Sequence, residues 1–392
     1  MTTIPGHSGL PTSKPHLQFI DCIRGYAALM VITTHLTYII AELPYPVSRF
    51  TKLGWYGVQL FFLMSAFTLL ASWNSEKQKT GKVSVSNFFI RRYLRIAPAF
   101  YLGALLYYFV RPPQNGFDLW QLLAALTFTN GWHPNLIPTV PSQWMVVPGG
   151  WSIAVEFSFY ALFPILASLI TSRFRAIAAV LIAIAVAIAG NLAVETMLFN
   201  SIPLLPLRDF LYFWLPDQLP VFLLGFLLYY AMGARLEGSP FLETVRPYRY
   251  LLVVLAFLGF CASSYLPMGH FFGDGPRIPE TLYIAAPLSL FVIAIASGPT
   301  VFVNRAVQEM GKVSLSAYLL QFAVLDFCQR LPGLFGTQAT GMRAILHFAV
   351  DWPIVVAIVF LAAALQYRLV ELPMMNLARR ITRRRKPMLA AA

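Results

Sequence analysis

Ten apolar runs leave this chain few folds to choose from. They lie at about 19–40, 54–73, 97–110, 151–171, 176–195, 210–232, 250–267, 281–298, 314–330 and 344–367. A bilayer core about 30 Å thick holds no water to satisfy a backbone amide, so each run must close its hydrogen bonds internally as a helix. Charged residues make up only 11% of the 392 residues and hydrophobic ones 58%, whereas a soluble domain carries about 25% charge. The mean hydropathy is +0.66. The expected fold class is an all-α polytopic membrane protein, and a soluble enzyme of this length is excluded.

The formal net charge of +13 does not point to nucleic acid, because the basic residues form short clusters beside apolar runs. Lys77, Lys79, Lys82, Arg91, Arg92 and Arg95 follow the second run. Others follow the fourth (Arg173, Arg175), the sixth (Arg235, Arg246, Arg249), the eighth (Arg305, Lys312) and the last (Arg379 to Lys386). Ten crossings place all of these on one side, which the positive-inside rule makes the cytoplasm, with both termini. A shorter apolar stretch at 118–131 would break this pattern if it crossed, so it is expected to be a re-entrant or interfacial helix on the outer side. The outer loops would then be 41–53, 111–150, 196–209, 268–280 and 331–343. The largest carries Trp120, Trp132, Trp144, Gln114, Gln121 and Gln143. Its tryptophans suit either a membrane interface or stacking on a sugar. Residues 1–18 are polar, and the first run is long enough to remain as a span rather than a cleaved signal. The expected organisation is a cytoplasmic tail at 1–18, a membrane domain at 19–370 and a basic cytoplasmic tail at 371–392.

Two ionisable residues interrupt the first run. Arg24 and His35 are eleven residues apart, which returns them to nearly one helix face with an axial separation of about 16 Å. With Arg24 at one membrane face, His35 lies near the middle. Such a group either makes a polar helix contact or serves as a general base at membrane depth.

A second constellation begins where Pro148-Gly149-Gly150 breaks the chain. From Trp151 onward, Ser152, Glu156 and Tyr160 recur every fourth residue as a polar stripe on an apolar helix. Glu156 in the first turns is favoured by the helix dipole, or it is a direct or one-removed partner of His35 that helps fix its tautomer. In the third constellation, Arg91 and Arg95 share one helix face and Arg92 points elsewhere. These arginines are either phospholipid anchors or forks for the phosphates of a donor. Cys22, Cys261 and Cys328 lack metal-ligand spacing and read as packing residues. His7, His16, His133, His270 and His347 are isolated, so no metal site is expected.

Five ordered motifs carry a resemblance. They are Asp21-x-x-Arg24-Gly25-x-Ala27 followed by His35, Gly57-Val58-x-x-Phe61-Phe62-x-x-Ser65-Ala66-Phe67, and Phe88-x-x-Arg91-Arg92-x-x-Arg95-Ile96-x-Pro98. Trp151-Ser152-x-x-x-Glu156-x-x-x-Tyr160 and Val370-Glu371-Leu372-Pro373 complete the set. Together they resemble the acyltransferase-3 family of integral membrane acyltransferases. The resemblance implies transfer of an acyl group, most often acetyl, from cytoplasmic acyl-CoA to a hydroxyl of a cell-surface or exported glycan or another outer-face acceptor. Acyl-CoA (acetyl-CoA) is then a co-substrate, no cofactor is permanently bound, and the enzyme sits among the lipids of the cytoplasmic (inner) membrane. Arg24 and His35 match the family's essential pair, Glu156 its acid, and Arg91, Arg92 and Arg95 its donor-side arginines. Trp151, Ser152, Tyr160 and Gln321 are candidate acceptor contacts or neighbours of the pair. Two positions depart from the pattern. Ala66 replaces the usual Gly, and Gln321 stands where His is frequent, which removes any proton shuttling there. His35 is expected to act as general base, with an acyl-histidine route also open. The rival class is a transporter or flippase of a lipid-linked glycan or small amphiphile, which ten helices with intramembrane charge also suit.

Overall fold

The computed structural model describes residues 15–38, 43–114, 116–136, 144–198, 200–202, 204–233, 238–263, 265, 279–298, 300–331, 335 and 339–390. His7, Arg235, His270 and Gln143 lie outside them, as do most of the expected N-terminal tail and parts of all five expected outer loops. Every element among the described residues is helical.

Each expected run falls on a helix. The first five are α1 (Pro15–Thr37), α2 (Gly57–Thr80), α3 (Val85–Val110), α4 (Trp151–Leu169) and α5 (Arg173–Leu198). Then come α6 (Leu215–Met232), α7 (Arg249–Ser263), α8 (Glu280–Ala296), α9 (Ser314–Gln329) and α10 (Gly341–Gln366). Eight helical stretches are long and apolar enough to cross a bilayer. That count is of the described residues and rests on length and composition; ten crossings were expected. The other two runs are α8 and α9, of 17 and 16 residues. At 1.5 Å per residue they reach about 25 Å, short of a full hydrocarbon core. Pro279 caps the start of α8, and α9 starts at a break at Val313. In addition, Ser314, Ser316 and Gln321 on α9 are buried, so its polarity is turned inward.

The stretch at 118–131 forms only the eight-residue helix Leu119–Leu126. Asp118 caps it by accepting from the amides of Trp120 and Gln121. It ends where Phe128 adopts a positive φ of 59°. At about 12 Å it cannot span.

α3 starts a dozen residues before its apolar run, because Ser84 caps it and arginines propagate a helix well. Arg91, Arg92 and Arg95 are therefore helical. At the far end of the chain, Leu372–Ala390 (α11) follows α10 through a π-turn at Tyr367–Glu371. It packs against α3, so the expected tail begins as part of the bundle.

α1 is the central helix, packed on α2, α9, and the short helix Arg305–Lys312. Two glycines permit this approach. A Cβ at Gly57 would strike the carbonyl of Ala27, and one at Gly311 that of Asp21. Small residues that let backbones meet are how membrane helices pack, since lipid gives apolar side chains no separate drive to associate. Ala66 is accommodated by Gly225 of α6, the residue opposite. Arg24 and His35 thus ride on a helix held closely by several neighbours.

Candidate active site

A cavity opens among α1, α2, α3, α4 and α9. Arg24 enters it from α1, Arg92 and Arg95 from α3, and Ser152, Glu156 and Tyr160 from α4. Three guanidiniums thus share the space with one carboxylate. Arg24 donates from Nε to Ser314 Oγ at 3.2 Å. It lies within electrostatic reach of Arg95, Asp21, Glu156 and Glu371. Arg92 stands over the Tyr160 ring, 6.0 Å from its centroid. None of the three makes an ion pair among the described residues. A low-dielectric cavity with surplus positive charge and unused guanidinium donors suits an anion, and guanidinium forks match both carboxylate and phosphate.

The arginines divide differently from the expected grouping. Arg91 does not reach the cavity; it pairs with Glu76 of α2 at 2.8 Å. Arg92, expected to point away, lines it beside Arg95. Spacings of three and four residues both return to one helix face, and the rotation of α3 against its neighbours selected the former.

Glu156 accepts hydrogen bonds from Ser65 Oγ at 2.6 Å and from the Tyr160 hydroxyl. The Ser152–Glu156–Tyr160 stripe faces the protein interior, but the carboxylate does not hydrogen-bond His35. The direct form of the expected pairing is therefore not made. The acceptor on the imidazole is Gln321, whose Oε1 lies 3.2 Å from His35 Nδ1. Gln321 Nε2 donates to the Tyr318 carbonyl at 3.0 Å, which turns the amide oxygen toward the ring. A carbonyl oxygen can only accept, so this bond puts the proton on Nδ1 and leaves the Nε2 lone pair to take another. The glutamine that cannot shuttle a proton therefore does the orienting.

His35 is not among the residues that line this cavity. Its ring packs against Phe322, with centroids 4.2 Å apart, and against Trp55 at 6.1 Å. Phe61 and Tyr318, edge to face at 6.2 Å, both line the cavity. Ser152 holds Tyr318 by donating to its hydroxyl at 2.8 Å. Trp151 does not line the cavity. It packs on Phe62, Tyr212 and Phe213, and Tyr212 accepts a hydrogen bond from Trp55.

Several side chains here escaped sequence reasoning. Ser65 and Ser314 sit inside runs already quoted, yet spacing does not say that they meet Glu156 and Arg24. Glu371 is buried and accepts from the backbone and hydroxyl of Ser316, which ties the π-turn to the start of α9 beside Arg24. Arg111 and Asp326 form a two-bond ion pair at 2.5 and 2.6 Å, and that pairing raises the Arg111 pKa above its ordinary value. Among the described residues no three His, Cys, Asp or Glu side chains cluster as metal ligands would.

A family profile described as an acyltransferase domain matches residues 17–368. The chain is 26% identical to "Acyltransferase MdmB" of Streptomyces mycarofaciens, over 97% of this chain and 96% of that protein. It is 24% identical to "O-acetyltransferase OatA" of Staphylococcus aureus, over 92% of this chain and 57% of that protein, so it spans little more than half the latter's length. No solved structure matches it.

Proposed function

This chain belongs to the acyltransferase-3 family of membrane acyltransferases, and we propose that it moves an acyl group from cytoplasmic acyl-CoA to a hydroxyl acceptor at the outer face. Acetyl as the group and oxygen as the receiving atom are supported by relatives whose names specify O-acetyl transfer. A glycan or another exported molecule is the acceptor class. The observation that carries the reading is the placement, along one helix, of an arginine-lined cavity and an imidazole with its Nδ1 already occupied.

Arg24, Arg92 and Arg95 bind the phosphates of the donor, whose thioester arm extends along the cavity past Phe61 and Tyr318. At the far end His35 Nε2 takes the proton of the acceptor hydroxyl as its oxygen attacks the thioester carbonyl. The C–S bond then breaks, the acyl group stays on the acceptor oxygen, and the imidazolium returns its proton to the CoA thiolate. Gln321 holds the tautomer that this requires. Only the acyl group needs to pass from one side to the other, so the donor stays on the cytoplasmic side of the inner membrane.

The test is release of free CoA from acetyl-CoA by the purified protein in nanodiscs, with and without a hydroxyl acceptor. Release that depends on acceptor, and falls at least a hundredfold in His35→Ala at unchanged folding, supports the reading. Near-native release by His35→Ala removes the general base. No CoA release by the native protein with any glycan acceptor favours a transporter instead.

A further inference from the structure

Tyr107 of α3 is fully buried, and its hydroxyl makes two bonds to the backbone of one helical turn. It donates to the Leu319 carbonyl at 2.7 Å and accepts from the Ala323 amide at 3.1 Å. Leu319 and Ala323 are the two ends of a single i to i+4 step of α9. A hydroxyl bonded to both ends fixes how that turn is rotated and how far it can slide against α3. The turn so gripped carries Gln321 and Phe322, the residues that hydrogen-bond and pack the His35 ring.

The geometry leaves little tolerance. The Gln321–His35 bond is 3.2 Å long, at the upper end of a normal hydrogen bond, so a slip of a few tenths of an ångström loses it. One turn further along, Arg111 grips Asp326 on the same α9, and its guanidinium stands 5.5 Å from the Phe322 ring centroid. That second grip is partly exposed and joins side chain to side chain, so of these two grips Tyr107 is the one that holds the backbone. If Tyr107 merely filled space, a phenylalanine would fill it as well without a hydroxyl to satisfy in a dry interior.

We propose that Tyr107 is a positioning residue for the transfer reaction, its hydroxyl keeping the Gln321–Phe322 turn of α9 in register with the His35 imidazole. This rests on the reading of His35 as the base. Tyr107 reaches the chemistry only through Gln321 and Phe322. It also shares α3 with Arg92 and Arg95, so one helix carries both the donor-side charges and the grip on the base's partner.

The experiment compares the native protein, Tyr107→Phe, Gln321→Leu and the double variant in nanodiscs. Tyr107→Phe is expected to lower kcat at least tenfold with the KM for acetyl-CoA within twofold, at an unchanged thermal midpoint. On the Gln321→Leu background the same change is expected to cost less than twofold, because the partner it acts through is gone. A fully additive double variant overturns the proposal, as does a loss of kcat, donor KM and thermal midpoint together. A second readout needs no activity: the rate of diethylpyrocarbonate labelling at His35, followed by mass spectrometry. A threefold or larger change in Tyr107→Phe supports the proposal, and an unchanged rate overturns it. Absence of acyl transfer by the native protein would defeat the functional reading, while the labelling rate would still decide whether Tyr107 holds His35.

Discussion

Glu156 shows how a side chain's partners redefine its role. Helical spacing places it on a polar stripe, and its bonds to Ser65 and Tyr160 place it in the arginine cavity rather than on the imidazole. Its charge therefore offsets the guanidiniums. Glu156→Gln is expected to change the KM for acetyl-CoA at least threefold while leaving the pH profile of kcat/KM where it is. Steady-state kinetics across pH 5–9 checks this, and a shifted profile would restore a direct link to His35. The His35→Ala loss of CoA release belongs to the same scale. In Tyr107→Phe, removal of one oxygen is expected to act through the backbone of a neighbouring helix.

At the scale of the element, α3 is the informative case. Its three arginines lie within five residues, and their neighbours give them different tasks. Arg92 and Arg95 line the cavity, whereas Arg91 meets Glu76 in a partly exposed ion pair. Charge-assisted bonds to phosphate contribute about 1.5–3 kcal/mol each, whereas exposed ion pairs contribute at most about 1 kcal/mol. Arg92→Gln or Arg95→Gln should thus raise the KM for acetyl-CoA by roughly ten- to a hundredfold, with acceptor KM unchanged. Arg91→Gln should shift it less than about fivefold. Equal tenfold losses in all three variants would mean that α3 itself had moved. α9 is the second such element. It is too short for a full crossing, yet its inward-facing polar residues meet both Arg24 and His35.

For the whole molecule, the proposed transfer requires that its two ends face different compartments. The last turn of α2 and the turn joining it to α3 carry the basic residues Lys77, Lys79 and Lys82, and the far end of α3 leads to the loop beyond Arg111. Positive charge is retained on the cytoplasmic side. In a background without Cys261, Ser75→Cys should label only from the inside and Gln114→Cys only from the outside with a membrane-impermeant maleimide. Outside labelling at Ser75 would invert the path proposed for the acyl group.

Hydropathy by itself determined that this chain is a bundle of membrane helices, because backbone amides in lipid have no other way to be satisfied. Local periodicity also placed Arg24 with His35 and Ser152 with Glu156 and Tyr160, since a helix repeats its faces at a fixed angle. It went no further, because a residue's face on its own helix says nothing of what packs against that face. The rotation of α3 decided that Arg92, and not Arg91, meets the cavity. The approach of α9 gave His35 a glutamine 286 residues away as its hydrogen-bond partner. Tyr107, one of many aromatics in apolar sequence, became a backbone grip only when α3 and α9 met. Close packing sets these contacts, and glycines such as Gly57 and Gly311 set how near the helices come, which no local spacing encodes.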